Sequence, residues 1–357
     1  MLPTPLLVSQ MIALLFVGGI LGTCYIFGAV SRYIWQAYTH VNWRHNDINH
    51  VIVYILAKTI ADGAMLLCCP VIINFILSGT WAHGSAACIL YWMLEQVCTK
   101  SSNMLLACLA FDRYAWLKRR SQFEYLFKVR STVLVCVIVH ALAVLFVAPV
   151  LPQVGTFEVV DEVNNTTFGN ACLLDNYGIE DLIGAYLILW LVLTFVLPVV
   201  ITLYCVFSIF KVLYFDVHEA INQIGETRYY TERTVSLCLG SALAFNLLCS
   251  GPHWIMSVLV SLSSLYTSPR TNEVFLMFML HLLPYMNAAG TWTFSALICR
   301  SALKYVRHQD EEALSEGSHE MIALGTIERE DHEQEARQEA EESAFEPVQA
   351  PSTSRNV

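Results

Sequence analysis

The stretch CLAFDRYAWLKRR, Cys108–Arg120, joins an apolar run to a cluster of positive charge, with Asp112, Arg113 and Tyr114 at the junction. On a solvated surface helix such a triplet carries no information. At the end of a hydrophobic segment it marks where a helix leaves the hydrocarbon of a membrane. A charge is tolerated there, near water and headgroups, whereas at mid-bilayer it costs several kcal/mol. The surrounding chain decides between these readings.

Of the 357 residues, 56% are hydrophobic and only 14% charged, and the mean hydropathy is positive. Soluble domains carry roughly a quarter charged residues. The apolar residues are gathered into seven runs, at about 8–34, 48–77, 84–111, 131–151, 182–213, 234–264 and 274–298. Each is long enough to cross about 30 Å of hydrocarbon as a helix of roughly 20 residues. Inside hydrocarbon every backbone N–H and C=O must be satisfied within its own segment. The expected fold class is therefore an all-α membrane protein, a bundle of seven transmembrane helices. Six or eight helices would require merging or splitting a run.

Lys and Arg orient such a bundle, since they favour the cytoplasmic side. The connections after the second and fourth runs hold none, and the one after the sixth holds only Arg270. The opposite set holds Arg32, Arg44, Lys118, Arg119, Arg120, Lys128, Arg130, Lys211, Arg228, Arg233, Arg300, Lys304 and Arg307. The N-terminus is expected outside and the C-terminus in the cytoplasm. The first run is too long for a cleavable signal peptide and lacks a charged leader, so it reads as its own signal anchor. The polar connection Gln153–Asp181 agrees with this orientation, because Asn164-Asn165-Thr166-Thr167 holds two overlapping N-glycosylation sequons, meaningful only on a lumenal surface. Whether Asn164 or Asn165 is used stays open.

Ten of the twelve cysteines fall within the apolar runs or at their cytoplasmic ends and read as small packing residues. Only Cys88, at the outer start of the third run, and Cys172, in the long outer connection, face an oxidising compartment. One disulfide between them is expected, tying the connection over the centre of the bundle.

Several short motifs now stand in order. Trp81-Ala-His-Gly-Ser-Ala-Ala-Cys88 opens the third run, and Asp112-Arg113-Tyr114 closes it, beginning 24 residues after Cys88. The second run carries Asp62 with Pro70 beyond it, the first Gly19-Ile-Leu-Gly-Thr23, the fifth Phe195-Val-Leu-Pro198 and the sixth Cys249-Ser-Gly-Pro252. Over residues 8–308 this pattern resembles the rhodopsin-like (class A) G-protein-coupled receptors, as a divergent orphan or virus-encoded member. The resemblance implies an extracellular ligand, a heterotrimeric G protein as partner, and a site in the plasma membrane (a host cell membrane for a viral member). It also implies that an acid at the inner end of the sixth helix, here Glu232, pairs with Arg113 as a breakable latch of the inactive state. The alternative is that Glu232 is one more charge on a solvated helix end.

Departures from the family pattern are equally informative. The tryptophan usual before the proline of the sixth helix is Ser250, and the seventh run has no Asn-Pro-x-x-Tyr, only Asn287 and Gly290-Thr-Trp-Thr-Phe294. The fourth run has no tryptophan, and the tyrosine expected in the fifth is Val206, with Tyr204 nearby on another face. Asp62 corresponds to the acid that helps bind sodium in the family. Here Lys58 lies one helical turn before it, on the same face. Either the Lys58 ammonium takes the electrostatic place of sodium, or Lys58 snorkels to the surface and leaves Asp62 free. Ser102 and Asn287 complete the expected polar switch of the core.

A ligand pocket is expected from Glu95, His253, Trp254 and His281. Two readings of Glu95 are open: an anchor for a cationic ligand, or an internal pair with His281 or Lys100. The acidic outer connection, with Glu158, Asp161, Glu162, Asp175, Glu180 and Asp181, favours cationic ligands if it is more than solvated surface. Residues 309–357 hold fourteen acids against three arginines, a composition that cannot fold alone. They read as a disordered cytoplasmic tail after the receptor domain, 1–308, with a short amphipathic helix at about 300–307. Ser315, Ser318 and Ser343 are acceptable to acidophilic kinases, for an arrestin-like partner, and Cys299 is a palmitoylation candidate. Contact with membrane lipid is expected, and with nucleic acid it is not. No metal cluster, nucleotide loop or nucleophile–base pair suggests an enzyme. A non-signalling decoy or trafficking scaffold remains the alternative, favoured by the lost switch residues; a transporter or channel is the third reading.

Overall fold

The computed structural model describes residues 5–39, 49–119, 122–161, 166–174, 180–263, 279–304 and 307. The chain divides into two units, Met1–Tyr305 and Val306–Val357; everything below concerns the first. Asn164, Asn165 and the acidic tail lie outside the described residues.

Among the described residues, seven helical spans follow one another. The first is Pro5–Thr39. The second is Asn49–Leu66, resumed after a turn as Cys69–Ser78. The third is Gly84–Lys118, and the fourth Val129–Val147. The fifth runs through Glu180–Leu191 and Leu197–Phe215. The sixth is Glu226–Ser263, and the seventh Leu283–Gly290 continued over 292–304. The expected amphipathic stretch, in its described part 300–304, continues the seventh helix without a break.

The breaks have local causes. Pro70 has no N–H to give the preceding turn, and the second helix is interrupted at Leu67–Cys68. Pro198 does the same to the fifth, where Val192–Val196 widens into a π-turn and the Leu197 N–H reaches back to the Val192 carbonyl. Gly79 ends the second span at φ 69°, its N–H closing on the Phe75 carbonyl at 2.9 Å.

Among the described residues, five helices are long and apolar enough to cross a membrane: Pro5–Trp35, His50–Ser78, Val129–Gln153, Ile188–Phe215 and Tyr229–Met256. The third is long but polar, and its position explains why. It packs against the second, fourth and fifth helices and buries Glu95, Lys100, Ser101, Ser102, Asn103, Asp112 and Arg113. The bundle is thus polar along its centre. Its surface carries Leu14, Phe207 and Leu248, each more than 70% exposed, as a wall facing lipid requires. Small residues set the close approaches: a Cβ on Gly22 would collide with the Trp292 ring, bringing the first helix against the seventh.

One element adds to the sequence reading. The connection after the fourth helix contains an antiparallel pair of strands, β1 (Val154–Asp161) with β2 (Thr166–Leu174), in register at Thr156 opposite Cys172. The Cys88–Cys172 disulfide, with Cα atoms 5.6 Å apart, ties β2 to the start of the third helix. Trp81 packs with Cys88 and Val154, and its backbone N–H donates to the Asn170 carbonyl at 2.6 Å.

Candidate functional site

At the end of the third helix away from the disulfide, Arg113 is only 1% exposed, because three elements converge on it. Its Nε and Nη2 donate to Asp112 Oδ2 at 3.0 and 2.7 Å, and its Nη1 donates to Glu232 Oε1 on the sixth helix at 3.2 Å. His50, fully buried at the start of the second helix, meets both the guanidinium and Asp112, its Nε2 lying 3.1 Å from Asp112 Oδ2. Five fixed N–H donors suit a guanidinium to sharing between several acceptors. Tyr114 is buried and turns its ring against Tyr204 of the fifth helix, with centroids 5.7 Å apart. Tyr204 thus reaches this end, while Val206 is buried elsewhere on the helix.

Midway along the bundle, Lys58 and Asp62 are both buried, so Lys58 does not snorkel. The ammonium donates to Asp62 Oδ2 and to Ser102 Oγ, each at 2.7 Å. Ser102 donates in turn to Asp62 Oδ1, and Thr291 of the seventh helix to Asp62 Oδ2, again at 2.7 Å. Beside it Asn246 of the sixth helix accepts from Asn287 at 3.0 Å and from Ser250 at 3.1 Å. Second, third, sixth and seventh helices are thereby joined through neutralised or hydrogen-bonded groups, the condition on which buried polarity is tolerable.

Nearer the disulfide a cavity of about 470 Å³ opens, and Glu95, His253, Trp254 and His281 all line it. The rest of the wall is aromatic, from Phe75, Trp81, Tyr91, Trp92 and Trp190, with β2 contributing Ala171–Leu174. Glu95, though buried, is paired: its Oε1 lies 2.9 Å from His281 Nε2. Of the open readings for Glu95, the geometry gives the internal pair with His281. Lys100 is elsewhere. Its Nζ donates to Gln96 Oε1 at 2.6 Å and sits over the rings of Trp190, 3.5 Å from the centroid, and Trp254, at 5.0 Å. Trp254 also stacks on Phe195 beside the π-turn of the fifth helix, with centroids 5.8 Å apart.

Residues 39–290 match the family described as 7 transmembrane receptor (rhodopsin family). The chain belongs to that family. It is a multi-pass membrane protein of a receptor family, not an enzyme family, and a G-protein partner and an extracellular ligand are what such receptors share. Neuropeptide receptor 18 of Caenorhabditis elegans is 25% identical over 320 residues, covering 83% of this chain and 65% of the relative. A probable G-protein coupled receptor of the same organism is 21% identical over 290 residues, covering 76% of this chain and 62% of that protein. The chain therefore spans less than two thirds of the length of these relatives.

Several contributors to this rhodopsin-family core were not visible in the sequence. His50 meets Asp112 from more than sixty residues away and carried no motif. Asn246 had one signal, its position one turn before Ser250, and Thr291 had its place beside Gly290. Trp190 had none, being one aromatic in an apolar run.

Proposed function

We propose that this chain is a ligand-gated receptor of the plasma membrane that activates a heterotrimeric G protein, with its N-terminus outside and the Asp112-Arg113-Tyr114 end in the cytoplasm. The observation that carries the reading is the buried ion pair between Arg113 of the third helix and Glu232 of the sixth. Breaking one partner of such a pair leaves an uncompensated buried charge, so the two helices separate only if something replaces the contact. A G-protein segment inserted at this end is that replacement. His50 belongs to the same latch, because it holds Asp112 while Asp112 holds Arg113.

The aromatic cavity is the ligand site, covered by the disulfide-tied hairpin. Its walls include residues of the third, fifth and sixth helices, so a ligand there biases the helices that the latch joins. A peptide is the favoured ligand class, in keeping with the name of the nematode neuropeptide receptor and with a cavity rich in aromatic surface. Between cavity and latch, the Lys58 ammonium occupies the position next to Asp62 that a free cation would otherwise take, which makes the receptor insensitive to sodium. An arrestin-like protein is the expected second cytoplasmic partner, through phosphorylated serines of the acidic tail.

The test is ligand-free G-protein activation in cells, for the parent, Arg113→Ala and Glu232→Gln at matched surface levels. Glu232→Gln should raise basal activation several-fold, and Arg113→Ala should abolish it. Activation that survives Arg113→Ala overturns the assignment. Activation in none of the three favours the non-signalling scaffold.

A further inference from the structure

The deep end of the cavity is short of hydrogen-bond acceptors. Lys100 is fully buried, and among the described residues its ammonium has one hydrogen-bond acceptor, the Gln96 side-chain oxygen at 2.6 Å. An ammonium has three donors. The indole Nε1 groups of Trp190 and Trp254, the two rings flanking Lys100, are also buried and have no hydrogen-bond partner among the described residues. No described carboxylate lies within ion-pair distance of the cation; Glu95 acts on it only through space, and its Oε1 lies 2.9 Å from His281. Aromatic faces stabilise a buried cation only in part, and each unsatisfied buried donor carries its desolvation cost. Trp190, Trp254 and Gln96 all line the cavity, whereas Lys100 lies behind them. Gln96, only partly buried, lines the cavity and also accepts from Lys100, so it joins the two.

We propose that Lys100, with the indole N–H groups of Trp190 and Trp254, forms the anchor for a ligand carboxylate, and that the Gln96 amide holds the place this carboxylate takes. The proposal deepens the receptor reading by naming the ligand's chemistry: an apolar or aromatic body ending in an acid. A carboxylate offers two oxygens that accept several hydrogen bonds at once, matching a site supplied with donors from two helices besides the third. The negative charge finds its counter-charge in Lys100, and the Glu95–His281 pair, more than one helical turn nearer the disulfide, is engaged within itself. Displaced Gln96 is free to turn into the wet cavity, so its own amide is not left buried. The carboxylate draws the fifth and sixth helices toward the third through Trp190 and Trp254, which gives the ligand a mechanical effect on the sixth helix and so on Glu232. The shared chemistry has two sources, the C-terminal carboxylate of a peptide and a free carboxylic acid.

The experiment uses the full chain purified in lipid nanodiscs, with thermal unfolding as readout, so it does not depend on G-protein coupling. The probes are matched pairs: the dipeptide N-acetyl-Phe-Leu as free acid and as amide, and indole-3-butyrate and its amide. At least one acid should bind about tenfold more tightly than its amide, as a charge-assisted contact implies. Lys100→Met should erase the difference, Lys100→Arg should retain part of it, and Gln96→Ala should strengthen acid binding. Preference for the dipeptide acid identifies a peptide terminus, and preference for indole-3-butyrate a free acid. Equal binding of acid and amide, no binding of either acid, or a preference that persists in Lys100→Met overturns the proposal. If Lys100→Met fails to fold, the paired gain in Gln96→Ala and retention in Lys100→Arg carry the test, and absence of both overturns it. Failure here leaves the latch experiment untouched, and failure of the latch leaves this binding readout interpretable.

Discussion

Two buried cations stand thirteen residues apart on the third helix, and the bundle treats them in opposite ways. Arg113 receives a carboxylate from its own helix, a second from the sixth and an imidazole from the second. Lys100 receives one amide oxygen and two indole faces. Both are fully buried, so exposure does not separate them. The partners do. An arginine locked between acids forms a closed contact that must be broken for the helices to part, whereas a lysine short of acceptors keeps donors to spare. In the proposed reading the first is the latch at the end that meets the transducer, and the second the anchor at the end that meets the ligand.

This comparison can be broken in order of expected effect. Arg113→Ala leaves Asp112 and Glu232 as buried acids without their cation, a loss of about 3–5 kcal/mol. It should appear as a large drop in the unfolding temperature of the purified protein, together with loss of signalling. Cys172→Ser opens a connection spanning 84 residues. Losing such a crosslink costs about 2–4 kcal/mol, and the damage should concentrate at the cavity, as weaker ligand-probe binding and faster hydrogen exchange in β1 and β2. In a double-mutant cycle of Lys58→Met and Asp62→Asn, each single change should destabilise and the pair should recover part of the loss, with a coupling of about 1–3 kcal/mol. Sodium should stabilise Lys58→Met but not the parent, and a sodium shift in the parent would remove Lys58 from its assigned role. Lys100→Met should change stability by no more than about 1 kcal/mol, since an apolar isostere replaces a cation that had no carboxylate partner. If its loss equals that of Arg113→Ala, the two ends do not differ as described.

The span count, the disulfide pair and the acid–arginine junction were legible because each depends on local composition or on a short motif. The hairpin was missed although Val154, Thr156, Val159 and Val160 are strand-forming residues, because pairing needs a second strand that local reading did not supply. Glu95 shows the limit most clearly. From sequence it was equally an amine anchor or an internal pair. The choice rested on whether His281, nearly two hundred residues away, came within hydrogen-bonding distance.

The sequence by itself determined that this protein is a helical membrane bundle, because hydrocarbon leaves a backbone almost no other option and the apolar runs are long; its ordered motifs carried the resemblance to a receptor family. Only the tertiary structure decided which polar groups satisfy one another inside. His50 with Asp112, Thr291 with Asp62, and Lys100 among tryptophans are meetings of separate helices. They depend on helix rotation and packing distance, to which a buried hydrogen bond is sensitive within less than an ångström and which no single helix encodes.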